Sequence, residues 1–139
     1  MTEHVLIVLA CGSTKLDHPA PAESLYCSSH FALMLAAARS EAADTVRVCG
    51  GTASVAILSA LHGLVDPMTV LKPYNVKMGQ PGSVTATQLA AQLGRTPPDE
   101  IVAMLPSAYL RVLTEAVATL NEAGLADITV LNAFESAPG

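Results

Sequence analysis

The stretch HVLIVLACGSTKLDHPAPAESLYCSSHF, residues 4–31, begins as an unbroken apolar run and changes character at Cys11-Gly12. An apolar run of strand length without polar alternation marks a strand covered on both faces, as in parallel sheets flanked by helices. Polar residues and prolines follow. A helix is then expected from Ser28 to about Ala43, with Phe31, Leu35 and Ala38 on one face and Ser28 or Ser29 as its N-cap.

The same alternation runs down the chain. SVAILSA (54–60) reads as a second buried strand, ended by the stop signals of HGLVDP. VTATQLAAQLG (84–94) reads as a helix closed by Gly94, and EIVAMLP (100–106) as a third strand. A long helix from Ser107 to about Ala123 precedes Gly124, ITVLNA (128–133) makes a fourth strand, and Val46–Cys49 offers a fifth. The pattern predicts a single α/β domain over residues 1–139. Its architecture is three-layered, a mostly parallel sheet of four to five strands flanked by helices. No repeat or interdomain linker interrupts it.

Composition narrows the function classes. With 51% hydrophobic and 14% charged residues in 139, the chain is expected to form a true core. No apolar run is long enough to cross a bilayer, and residues 1–10 lack a basic region followed by a cleavage site, so a soluble, cytoplasmic protein is expected. Cys11, Cys27 and Cys49 form no CxxC pair, which supports neither a disulfide framework nor a closed zinc site. A net charge of −5 argues against a long nucleic-acid footprint. Lys15, Lys72 and Lys77 nevertheless fall in polar segments after expected strands, so converging loops would make a local positive field.

In sheets of this kind ligands bind outside the carboxyl ends of the strands. Two segments rich in reactive side chains leave strands there: Cys11 to Ser28, and Ser59 through His62, Gly63 and Asp66 to Lys72, Tyr74 and Asn75. Cys11 is a nucleophile where a turn's amides or Lys15 hold the thiolate, and a packing residue otherwise. Lys15, beside Gly12 and Ser13, meets a phosphate or is merely solvated. Tyr26 and Ser28 offer a ring and a hydroxyl at a helix start, or else a buried ring and an N-cap. Phe31 reads as core. His62 serves as acid, base or base-holding group, or bonds a nearby carbonyl. Asp66 is the nearest carboxylate to it, and also an ordinary Asp-Pro turn. Tyr74 stacks on a ligand or braces a turn.

The segments ACGSTK, LYCSSHF, LSALHGLVDP and KPYNVKM resemble a small bacterial and phage domain family. Its pattern is Cys-x-x-x-Lys, Leu-Tyr-x-Ser-x-x-Phe, Ser-Ala-x-His-Gly-Leu and Pro-Tyr, matched here over roughly residues 5–80. More distantly the chain resembles the YaaA peroxide-stress proteins and the Cys-Ser-x-x-Lys-Pro-Tyr-Ser domain of archaeosine synthase, which acts on a deazaguanine in tRNA. This wider group implies kinship to the uracil-DNA glycosylase fold. Here no Pro-Tyr-Ser directly follows Lys15, so the archaeosine synthase substrate does not carry over.

Three functions are therefore expected in order. The first is a nucleobase- or nucleotide-directed enzyme that cleaves or exchanges an N-glycosidic bond, with His62 and Asp66 as its acid–base and carboxylate groups. The second is a deazapurine-modifying transferase with Cys11 as nucleophile. The third is a noncatalytic nucleotide or nucleic-acid binding module. The expected substrate-binding residues are Gly12, Ser13, Lys15, Tyr26, Ser28, Ser59 and Tyr74. The expected partner is a nucleotide or nucleobase, with at most a short nucleic-acid contact and no membrane, and neither metal nor cofactor is called for.

Overall fold

A computed structural model describes residues 3–134. The apolar run forms β1 (His4–Ala10), and its neighbours are β3 (Thr52–Ser59) on one side and β6 (Glu100–Met104) on the other, both parallel to it. β7 (Thr129–Asn132) extends the sheet beyond β6, again in parallel, and β4 (Gly63–Val65) closes the other end antiparallel to β3. The order is β4-β3-β1-β6-β7. The mostly parallel α/β sheet read from the apolar runs is the sheet observed.

Alternation along β1 explains its position. Val5, Ile7 and Leu9 point to one face, where they pack with Phe31, Leu35 and Ala38 of α2 (Ser29–Cys49). Val8 points to the other, into a cluster with Leu89 and Leu93 of α3 (Ala86–Arg95) and Leu113, Val117 and Leu120 of α4 (Ser107–Glu122). Each fully buried aliphatic side chain of this kind contributes about 1.5–3 kcal/mol, so only a strand apolar on both sides belongs in the middle. α3 starts at a reciprocal capping box between Thr85 and Gln88.

Three expectations need correction. Val46–Cys49 is not a strand but the last turn of α2, which runs on until Gly50 at φ 76° provides a left-handed C-cap. The β-branched pair there has little power against a helix already propagating. Gly94 does not end α3. It lies within the last turn, one residue before Arg95, where a β-carbon would make ordinary contact with Leu120 at 3.5 Å. The HGLVDP segment, read as a stop, contains β4 itself.

The β3–β4 connection is a three-residue turn, Ala60-Leu61-His62, closed by the pairing of Ser59 with Gly63. Gly63 has φ 76°, the left-handed residue such hairpins require. Gln92 of α3 fastens this hairpin from outside. Its Oε1 accepts from Leu64 N at 2.8 Å, and its Nε2 donates to the His62 carbonyl at 3.1 Å. A β-carbon on Gly63 would collide with Gln92 Oε1. Gly63→Ala therefore combines left-handed strain with loss of the clamp, and is expected to lower unfolding free energy by about 2 kcal/mol or more in urea denaturation.

Candidate functional site

The carboxyl ends of β1 and β3 lie side by side, and Cys11 N still donates to the Leu58 carbonyl at 3.1 Å. Past that point the first loop makes a closed excursion. Lys15 and Tyr26 pair across an antiparallel bridge, Leu16 N donates to Leu25 O, and Cys27 N donates to Thr14 O. The loop's far side is sewn to the second loop. β2 (Ala20–Pro21) pairs with β5 (Val70–Leu71), while the amides of Ala22 and Glu23, in the short α1 (Ala22–Leu25), donate to the carbonyls of Thr69 and Pro67. These bonds bring the two reactive segments together.

Their meeting point is a chain of hydroxyls. The fully buried Ser59 Oγ accepts from the amides of Leu61 and His62 at 3.2 and 3.0 Å and lies 2.6 Å from Tyr74 Oη. Tyr74 Oη in turn lies 2.5 Å from Tyr26 Oη. Lys15 Nζ stands 4.4 Å from the centre of the Tyr74 ring and 5.8 Å from that of Tyr26, in reach of a cation–π attraction. The exposed His62 ring meets Tyr74 edge-on at 5.5 Å. Ser59, His62, Tyr74, Tyr26 and Lys15 thus form one contiguous group.

Cys11 and Gly12 border two clefts. One, of about 50 Å³, is lined with Ser13, Lys15, Asn75, Val76, Lys77 and Tyr109. The other, about 320 Å³ and mainly apolar, runs past Ser28, His30, Phe31, Met34, Met104 and Phe134. Ser28 is also the N-cap of α2, accepting from Phe31 N at 3.0 Å. Gly12 backs onto Tyr26, Phe31 and Ser28, from which a β-carbon there would stand 3.6–3.7 Å. Of the three lysines flagged in polar segments, Lys15 and Lys77 converge on the small cleft, and Lys72 lies outside it. Among the described residues no carboxylate lines either cleft, and the ion pairs, His18–Asp17, Arg39–Glu23 and Arg47–Asp44, involve neither lysine.

Asp66 is not brought to this group. It follows β4, which runs antiparallel away from the turn, so three strand residues carry it roughly 10 Å back toward the opposite sheet edge. There it borders a separate cavity with His4 and Arg95, and its Oδ1 accepts from Met68 N at 2.8 Å. Tyr109, by contrast, was missed in the sequence. In the first turn of α4, its hydroxyl lies 3.4 Å from Cys11 Sγ. The helix start after Pro106 was legible, and such a start after a parallel strand faces the same edge as Cys11.

The chain belongs to a family of unknown function (DUF6884), matched over residues 6–128. No curated protein and no solved structure shows significant similarity to it.

All three tyrosines are held protonated. Burial pushes Tyr26, Tyr74 and Tyr109 above the ordinary phenolic value of 10.0, with the hydrogen bond to Tyr74 offsetting part of the effect at Tyr26. Because the folded values are raised, the stabilising contribution is complete below the unfolded pKa and is lost as pH rises through the folded values. The phenolate absorption band is expected to stay absent well past pH ~10 and then to rise together with loss of the circular dichroism signal. Independent titration of any tyrosine near its ordinary value would contradict this.

Proposed function

We propose that the protein is a nucleobase- or nucleotide-directed enzyme whose chemistry centres on Cys11. The observation that carries the reading is that Cys11 borders both a small cleft with two lysines and a larger apolar cleft. A nucleotide divides chemically in the same way, into an anionic group and a flat apolar base. The larger cleft falls at the small end of the range for small-molecule sites. Pro106 leaves the first amides of α4 without a side-chain cap and borders the same larger cleft as Cys11.

The position of Asp66 supports covalent attack ahead of glycosidic cleavage. N-glycosidic cleavage is helped by a carboxylate beside the developing sugar cation, and among the described residues neither cleft has one. Covalent attack needs only a thiolate and a proton donor. In this reading Cys11 Sγ adds to an electrophilic carbon of the base, and the displaced π pair settles on nitrogen, which takes a proton. A second nucleophile, water or an amine, then displaces the thiolate, restoring Cys11. Cleavage or exchange of an N-glycosidic bond stands as a second reading because His62, the one imidazole in contact with the hydroxyl chain, is exposed and available to a sugar-bound base.

The test is a mass-spectrometric screen of nucleotides, nucleosides and short oligonucleotides with wild-type protein and folded Cys11→Ser. The expected outcome is a mass-shifted base with wild type, an adduct on Cys11, and loss of turnover by at least about 10²-fold in Cys11→Ser, since a serine hydroxyl is a far weaker nucleophile. Free base released equally by both proteins would transfer the assignment to the glycosidic reading.

A further inference from the structure

The two faces of the sheet are covered unequally. α3 and α4 pack on one face, while on the other α2 is the one helix of more than four residues among those described, and it lies against β1 and β3. Parallel register sets Val102 beside Ile7, Met104 beside Leu9 and Leu131 beside Val102, so these side chains share the α2 face. They are poorly covered there: Leu131 is 51% exposed, and Val102 and Met104 are only half-buried. A helix is about 10 Å across and strands stand about 4.8 Å apart, so one helix covers two strands, and β6 and β7 have room for one more. Clefts of about 320, 500 and 210 Å³ follow one another along this face, the first two sharing Met104 and the last two sharing Val102, Leu131 and Glu41. They form a groove beside α2.

α2 has the opposite deficit. Leu33, 68% exposed, recurs at helical spacing with the exposed Ala36, Ala37, Ser40 and Ala43 on its outer side, where a solvated helix ordinarily carries charge. The two ends of the groove also differ. Near Cys49 it is lined by Glu3, Glu41 and Glu100 with no cation among the described residues, and burial together with Glu3 raises the Glu100 carboxyl above its ordinary value. At the other end Met34, Met104 and Phe134 make it apolar. A second α2 lying antiparallel to the first brings its N-terminal turn, the positive end of its dipole, to the glutamates, and its Val48, 75% exposed, to the apolar end. We propose that the groove holds α2 of a second copy of this chain, in a two-fold dimer where each α2 covers β6 and β7 of the other subunit. One operation then covers both deficient surfaces of each subunit, as an isologous interface requires. The apolar end of the groove is the larger cleft beside Cys11, so the last turn of the partner's α2 becomes part of its wall.

Sedimentation equilibrium of the whole chain at ~1–100 µM is expected to give twice the subunit mass of 14.3 kDa. Leu131→Lys and Leu33→Lys place a charge on the two halves of the interface. Both side chains are exposed, so each variant is expected to keep the wild-type circular dichroism spectrum. Each should raise the dimer dissociation constant at least about tenfold. Leu125→Lys, similarly exposed but beyond α4 on the opposite face, should leave that constant unchanged. A wild-type monomer throughout the range would overturn the dimer. An unaltered dissociation constant in Leu33→Lys would do so too, since it would mean that the subunits meet without α2. Dissociation by Leu125→Lys would move the interface to the other face and equally overturn the proposal.

Discussion

Ser59 is the buried side chain on which the functional edge depends. A hydroxyl sealed at the end of a central strand must have every hydrogen-bonding position filled, because leaving one empty costs about 1–3 kcal/mol. Two of its positions are filled by the amides of the tight turn and the third by Tyr74. One atom therefore holds the turn that carries His62 and anchors the second loop. Through the Tyr74–Tyr26 contact it reaches the first loop as well. Neither loop is placed by its own propensities. The β2–β5 pairing joins them to each other, and this hydroxyl with the phenols beyond it ties them to the end of β3.

How much of this was legible follows from the range of the interactions. β1, the core of β3, β6, α3 and α4 were readable because their apolar spacing repeats within each segment. The hydroxyl chain was legible only as a set of candidates, Ser59, Tyr74 and Tyr26, with nothing local to show that they touch. What joins them is the pairing of β2 with β5, two residues each and one of them a proline, which no periodicity reveals. The placement of Asp66 was hidden for a related reason. Four positions from His62 looks near in sequence, but the intervening β4 is extended and antiparallel, so the separation is spent moving away from the site.

The charge distribution sharpens the contrast between the molecule and its functional edge. The protein carries a net −5, while the small cleft beside Cys11 has two lysines and, among the described residues, no acid. A local positive field within an acidic molecule attracts a small anion yet repels an extended polyanion at longer range.

The closed excursion between Lys15 and Tyr26 has a different kind of consequence. Its base is sealed by the Lys15–Tyr26 bridge and its return limb by β2, whereas its tip, Asp17-His18-Pro19, is exposed. The geometry of the hydroxyl chain is thus insulated from the length of that tip, and lengthening a loop costs only about 0.6 kcal/mol per doubling. The tip is a natural point of evolutionary elaboration, where relatives can acquire a specificity insert or an engineer can graft a reporter while the chemistry beneath stays in register.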